Sequence, residues 1–137
     1  MSDTCIFCKI IAREIPSEIV FEDESTIAFL DIGPLFPGHL LVAPKVHAQT
    51  LTDLQADLVA PLFLNVQKLT RAVEAGMEAP GSFLAINNRI SQSVPHLHVH
   101  IVPRRPKDGL RGFFWPRKPY SSPEVLKDTA QKIRAAL

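Results

Sequence analysis

Apolar positions along the chain change their spacing several times, and each change marks an element. Glu18 to Asp23 (EIVFED) and Thr26 to Ile32 (TIAFLDI) are β-leaning runs joined by Glu24 and Ser25, which predicts a hairpin. GPLFPGH is a loop by its proline and glycine content, and His39 to Lys45 (HLLVAPK) is a mostly apolar run that fits a buried strand. From Leu54 the period lengthens: Leu54, Leu58, Leu62, Val66, Leu69 and Val73 recur every three or four residues, one face of a helix. Thr52 with Gln55 resembles a capping box and Gly76 a stop, while Pro61 requires the helix either to begin just before it or to kink there. Ser82 to Arg89 reads as a strand running into a polar loop and His96 to Pro103 as another strand, which suggests neighbours. A proline-rich irregular stretch follows, and Pro123 opens a closing helix. The order is hairpin, strand, helix, strand, strand, helix, an α+β domain with a mostly antiparallel five-stranded sheet.

Composition narrows this. At 137 residues the chain is expected to be one domain, 1–137, with the segment 103–137 partly irregular before its helix. Lys+Arg 15 against Asp+Glu 14 provides no bulk field for a polyanion, so nucleic acid is an unexpected partner. The start, MSDTCIFCKI, carries Asp3 where a secretory signal would be basic and has no apolar run for a membrane, which points to the cytoplasm. Both cysteines, Cys5 and Cys8, lie there, and the Cys-x-x-Cys pair reads as metal-binding or redox. A short helix or folded segment is expected over Cys5 to Arg13, ended by Pro16.

In SVPHLHVHIVPRR, three of five histidines alternate with apolar residues. On a strand, His96, His98 and His100 would share one face about 6 to 7 Å apart, with Leu97, Val99 and Ile101 turned to a core. Three readings are open: exposed histidines, a catalytic metal with two such ligands and a third from elsewhere, or nucleophilic catalysis. The last suits phosphorus, because histidine with a pKa near 6.5 is largely free base at neutral pH and needs no proton removed before attack.

The run from His96 to Pro103 resembles the signature of the histidine triad (HIT) family. CIFCKI, AFLDI (Ala28 to Ile32), PGHLLVAPKVH (Pro37 to His47) and Gln92-Ser93-Val94 are similar to its Hint branch. The resemblance implies an α+β fold whose sheet continues across a homodimer. It also implies nucleotidyl hydrolases or transferases acting on a nucleoside 5′-phosphate joined to an amine, a carboxylate or another phosphate. It assigns the nucleophile to His98, and the phosphate or leaving group to His100 and Ser93, with His39 close behind the triad. The ribose falls to Asp31, the base walls to Phe29 and Ile32, and the phosphate side to Asn87 with Gln92. From the residues alone, the alternatives are that Asp31 starts a turn, Phe29 and Ile32 are core, His39 is an inward-facing histidine satisfied by a hydrogen bond, and Ser93 and Asn87 bond their own loop.

Several members of the family hold a structural zinc, which here implies Cys5, Cys8, His47 and His96 as ligands. The loop NNRISQ (Asn87 to Gln92) departs from the family by being short and lacking its glycines, which makes contacts of Asn87, Asn88 and Arg89 the weakest transfer. Between Pro103 and Pro119 lie Arg104, Arg105, Lys107, Arg111, Arg117 and Lys118, with Phe113, Phe114 and Trp115 among them. They form either a solvated loop or a surface that steers a phosphorylated ligand. The leading expectation is a phosphoramidase-like hydrolase of adenosine or guanosine 5′-phosphate conjugates. The alternatives are cleavage or phosphorolysis of dinucleoside polyphosphates, and a zinc-stabilised nucleotide-binding scaffold with little turnover.

Overall fold

The computed structural model describes residues 3–111 and 115–137, in two compact units that divide after Pro106. The first holds helix α1 (Ile6–Ile11), strands β1 (Ile19–Glu22), β2 (Thr26–Leu30) and β3 (Leu40–Pro44), helix α2 (Ala56–Gly76), and strands β4 (Gly81–Ala85) and β5 (Val99–Arg104). The five strands form one sheet in the order β1-β2-β3-β5-β4, and every pairing is antiparallel. The hairpin is present as expected, turned by Asp23, whose Oδ1 accepts from the backbone N–H of Ser25 and Thr26. β4 and β5 are neighbours, with Ala85 opposite His100.

Both faces of this sheet are covered. Ala28, Leu40, Val42, Leu97, Val99 and Ile101 pack against the Leu62, Val66, Leu69 and Val73 stripe of α2. On the opposite face Ile27, Phe29, Leu41 and Ala43 pack against Cys5, Phe7, Cys8 and Ile10 of the α1 segment. This second core explains why β2 and β3 read as continuous apolar runs rather than alternating ones. Complete burial of a side chain such as Leu62 or Ile101 contributes about 1.5–3 kcal/mol.

Three expectations are corrected. The strand of the triad begins at Val99, not His96, because the backbone before it is bonded elsewhere: His96 N–H to Val94 O at 2.8 Å, and Leu97 N–H to Ala48 O at 2.7 Å. The capping box is Thr50 with Asp53, closing a single 3₁₀ turn, and α2 starts behind Gln55 without a side-chain cap. Pro61 lies inside α2, five residues past its start at Ala56, so the helix does not begin just before it. Gly76 is the helix's last residue.

The second unit, from Lys107 to Leu137, contains α3 (Pro123–Ala135). As expected, Pro123 stands in the first turn, and Ser122 caps the helix by accepting from Val125 N–H at 3.2 Å. Phe113 and Phe114 of the basic stretch lie outside the described residues, and Trp115 is exposed. No helix among the described residues is long and apolar enough to cross a membrane.

Candidate active site

Four ligand atoms converge where α1 meets the entry to β5. Cys5, Cys8, His47 and His96 each present one within 4.8 Å of the others. Cys5 Sγ is 3.4 Å from His96 Nδ1, Cys8 Sγ is 3.4 Å from His47 Nδ1, and Cys8 Sγ is 3.6 Å from His96 Nδ1. Sulfur and nitrogen bound to one tetrahedral ion of the kind that takes such ligands stand about 3.6 Å apart, so the donor set fits a closed metal site. Local folding builds it. Cys5 is the N-cap of α1, its sulfur accepting from Cys8 N–H at 3.4 Å, which brings both sulfurs to the same end of the helix. His96 is fully buried, and its Nε2–H donates to Pro44 O at 2.8 Å, which leaves the Nδ1 lone pair facing the sulfurs. Burial pushes its pKa down to about 4, so the ring is a neutral ligand. No disulfide joins the cysteines.

The other two triad histidines line a cleft of about 250 Å³ together with Ser93, Asp31, Phe29 and Ile32. His98 is buried at 5% exposure, its Nδ1–H donating to His96 O at 2.6 Å. The proton is thereby committed to Nδ1 and the lone pair stands on Nε2. Burial lowers the His98 pKa, against the opposing pull of that hydrogen bond and of the Asp31 charge.

His39 sets the opposite tautomer on His100. Leu35 N–H donates to His39 Nδ1 at 3.1 Å, so His39 carries its proton on Nε2, which donates to His100 Nδ1 at 2.9 Å. His100 must then hold its own proton on Nε2. Burial and the neighbouring His98 and His39 push the His100 pKa down to about 4, and burial lowers that of His39. The two cleft histidines, with ring centroids 4.8 Å apart, thus offer unlike groups: a lone pair from His98 and an N–H from His100. Asp31 adds a carboxylate. Its Oδ1 accepts from Gly33 N–H at 2.8 Å, as a turn residue would, and Oδ2 lies 3.7 Å from His39 Nε2, too far for a hydrogen bond.

Asn87 and Gln92 stand apart from the cleft wall. Asn87 follows the end of β4 and donates to Ser91 O at 3.2 Å, while Gln92 donates to Gln49 O at 2.6 Å and accepts from Arg89 N–H. Both side chains hold the loop in which Arg89 and Ser91 take positive φ, 68° and 59°. Sequence reasoning missed Phe7. It meets His98 edge-on at 5.0 Å between centroids and His96 at 5.8 Å, and with Ile6 and Ile10 it forms the cleft's far wall. The available signal was Phe7 and Ile10, three residues apart on one helix face, overshadowed by the cysteines beside them.

The HIT domain model matches residues 12–107. The chain belongs to the HIT family. It is 39% identical over 139 residues to Protein hit of Bacillus subtilis, covering 99% of this chain and 96% of that one. To adenosine 5′-monophosphoramidase hnt1 of Schizosaccharomyces pombe it is 36% identical over 137 residues, covering 98% of each. A crystal structure of a Bacillus subtilis HIT family member superposes with a TM-score of 0.88 at 39% identity, covering 98% of both chains. The α+β architecture is therefore the HIT fold.

Proposed function

We propose that this HIT protein is a Hint-like nucleotidyl hydrolase that cleaves nucleoside 5′-phosphoramidates or related nucleoside phosphate conjugates through a covalent nucleotide on His98. The observation that carries this reading is the pair of opposed tautomers: a buried, neutral His98 with its lone pair on Nε2 beside a His100 that carries its proton on Nε2. The name of the fission yeast relative supports an adenosine phosphoramidate among the substrates.

In the first step His98 Nε2 forms a bond to phosphorus while the bond from phosphorus to the leaving amine breaks. His100 Nε2–H donates a hydrogen bond to the departing nitrogen, which takes its proton from solvent. As positive charge develops on the His98 ring, His96 O stabilises it through the Nδ1–H, 2.6 Å away. In the second step water attacks phosphorus, the P–Nε2 bond breaks to return His98 as the free base, and the water's proton passes to solvent. Ser93 at the cleft edge donates to a non-bridging or leaving oxygen, Asp31 accepts from the ribose hydroxyls, and Phe29 and Ile32 flank the base. Asn87 and Gln92 act through the loop they hold, which shapes the phosphate side. The cluster of Cys5, Cys8, His47 and His96 suits zinc, which would supply a structural cross-link with no part in the chemistry. Two thiols kept as ligands suit a reducing cytoplasm. Edge strand β4 with Leu84, and Phe63 and Leu64 exposed on α2, support a homodimer that continues the sheet.

Rapid quench of the protein with adenosine 5′-phosphoramidate, followed by peptide mass analysis, is expected to locate a nucleotide adduct on the peptide containing His98. In His98→Ala the adduct and turnover both disappear. Full turnover by that variant refutes the mechanism, and tight nucleotide binding without product in the native chain would favour the scaffold reading.

A further inference from the structure

The metal cluster and the nucleotide cleft share structural parts. α1 and its N-cap supply Cys8 and Cys5 to the cluster, and α1 supplies Ile6, Phe7 and Ile10 to the cleft wall. A second cavity, of about 430 Å³ and bordered by Cys5 and His47, meets the cleft along a common partition of Ile6, Ser93 and Val94. Phe7 touches the rings of both His96 and His98 edge-on, and Phe29 as well at 5.1 Å. His96 gives its ring to the cluster and its carbonyl to the nucleophile. With six residues, α1 is far shorter than a helix that holds itself together in water, so its position depends on what it packs against at both ends.

We infer that metal occupancy of the Cys5, Cys8, His47 and His96 cluster and nucleotide occupancy of the cleft are thermodynamically linked through α1. The metal fixes the cysteine end of α1, and that holds Phe7 and Ile6 where they wall the cleft. Without the metal, a nucleotide must order α1 as it binds and binds more weakly. Linkage is reciprocal, so a bound nucleotide strengthens metal binding by the same factor. The inference rests on the proposed readings of the cleft as a nucleotide site and of the cluster as a metal site. It goes beyond a purely static cross-link.

The test uses the full zinc-loaded chain and a competing chromophoric chelator, with adenosine 5′-monophosphate as the probe. Saturating nucleotide is expected to tighten zinc binding by at least about fivefold at equilibrium. Calorimetry on metal-stripped protein is expected to show nucleotide affinity weakened by the same factor. Phe7→Leu retains all four ligands and should bind zinc, but the factor should collapse toward one. Equal zinc affinity with and without nucleotide overturns the linkage while leaving the proposed function intact. Failure of nucleotide to bind in either state overturns the reading of the cleft and the linkage with it. A full factor in Phe7→Leu overturns the route through α1.

Discussion

The chemistry rests on which nitrogen of each histidine holds its proton, and that is decided by single hydrogen bonds. Alternation in the sequence marked His96, His98 and His100 as a set, and His39 entered by resemblance. Their division of labour came only from the resemblance, because it depends on backbone groups that alternation does not encode: Pro44 O, 52 residues from His96, and Leu35 N–H, in the loop before His39. The Leu35, His39, His100 relay has a consequence at the leaving group. His39→Leu removes the N–H that makes His100 Nδ1 an acceptor, so the His100 proton is no longer confined to Nε2. A poor leaving group such as an amine needs that N–H to steady the charge on its nitrogen as it departs, whereas the carboxylate of an acyl adenylate departs as an anion. The variant is expected to lose about 10–100-fold in kcat on a phosphoramidate and much less on an acyl adenylate. Parallel single-turnover assays on the two substrates check this, and an equal loss on both argues against a donor role for His100.

Among the elements, α2 was the most legible and α1 the least. Six apolar positions at helical spacing pointed to α2; Leu54 falls just before the helix, and four of the five within it, Leu62, Val66, Leu69 and Val73, are its buried stripe. α1 is too short to show a period, and its place depends on contacts with β2, β3 and His96 that no local pattern encodes. Pro61 posed the one conflict within α2, and tertiary packing overrode it: burial of Leu62 just beyond it holds the helix together through a position where proline removes the N–H that would bond Asp57 O. The cost remains in the native state. Pro61→Ala restores the donor and a strong helix former, offset in part by a more flexible unfolded chain. Urea unfolding is expected to show a gain of about 1 kcal/mol or more, and a loss would mean that the ring makes packing contacts worth more than the bond.

At the scale of the whole molecule, the sequence indicated one core and one chemical face, and the sheet carries a core on each side. Strand order was also hidden, because inserting β5 between β3 and β4 is a long-range choice. It sets His100 opposite Leu41 on one side and Ala85 on the other, under the cover of α1 and the loop that carries His39. Burial of His39, His96 and His98 and partial burial of His100 follow, and they give stability a defined pH dependence. His96 and His100 are pushed from about 6.5 to about 4, and His39 and His98 are lowered, in each case chiefly by burial. Between those values the unfolded chain binds more protons than the folded one, so stability is fully present above about pH 6.5 and falls as the pH drops toward 4. Carboxylates act in a lower window. Glu22, held below its ordinary value by hydrogen bonds from Lys45 and Arg13, adds stability that is lost only as the pH falls below about 4.5. Thermal unfolding midpoints are therefore expected to begin dropping near pH 6.5, well above the carboxylate range. In His100→Gln, which removes one of the titrating rings, the slope between pH 6.5 and 4.5 should become shallower while the fall below 4.5 stays. A native profile that is flat down to pH 4.5 would mean that the folded histidines protonate as readily as the unfolded ones, and that burial does not keep His98 a free base.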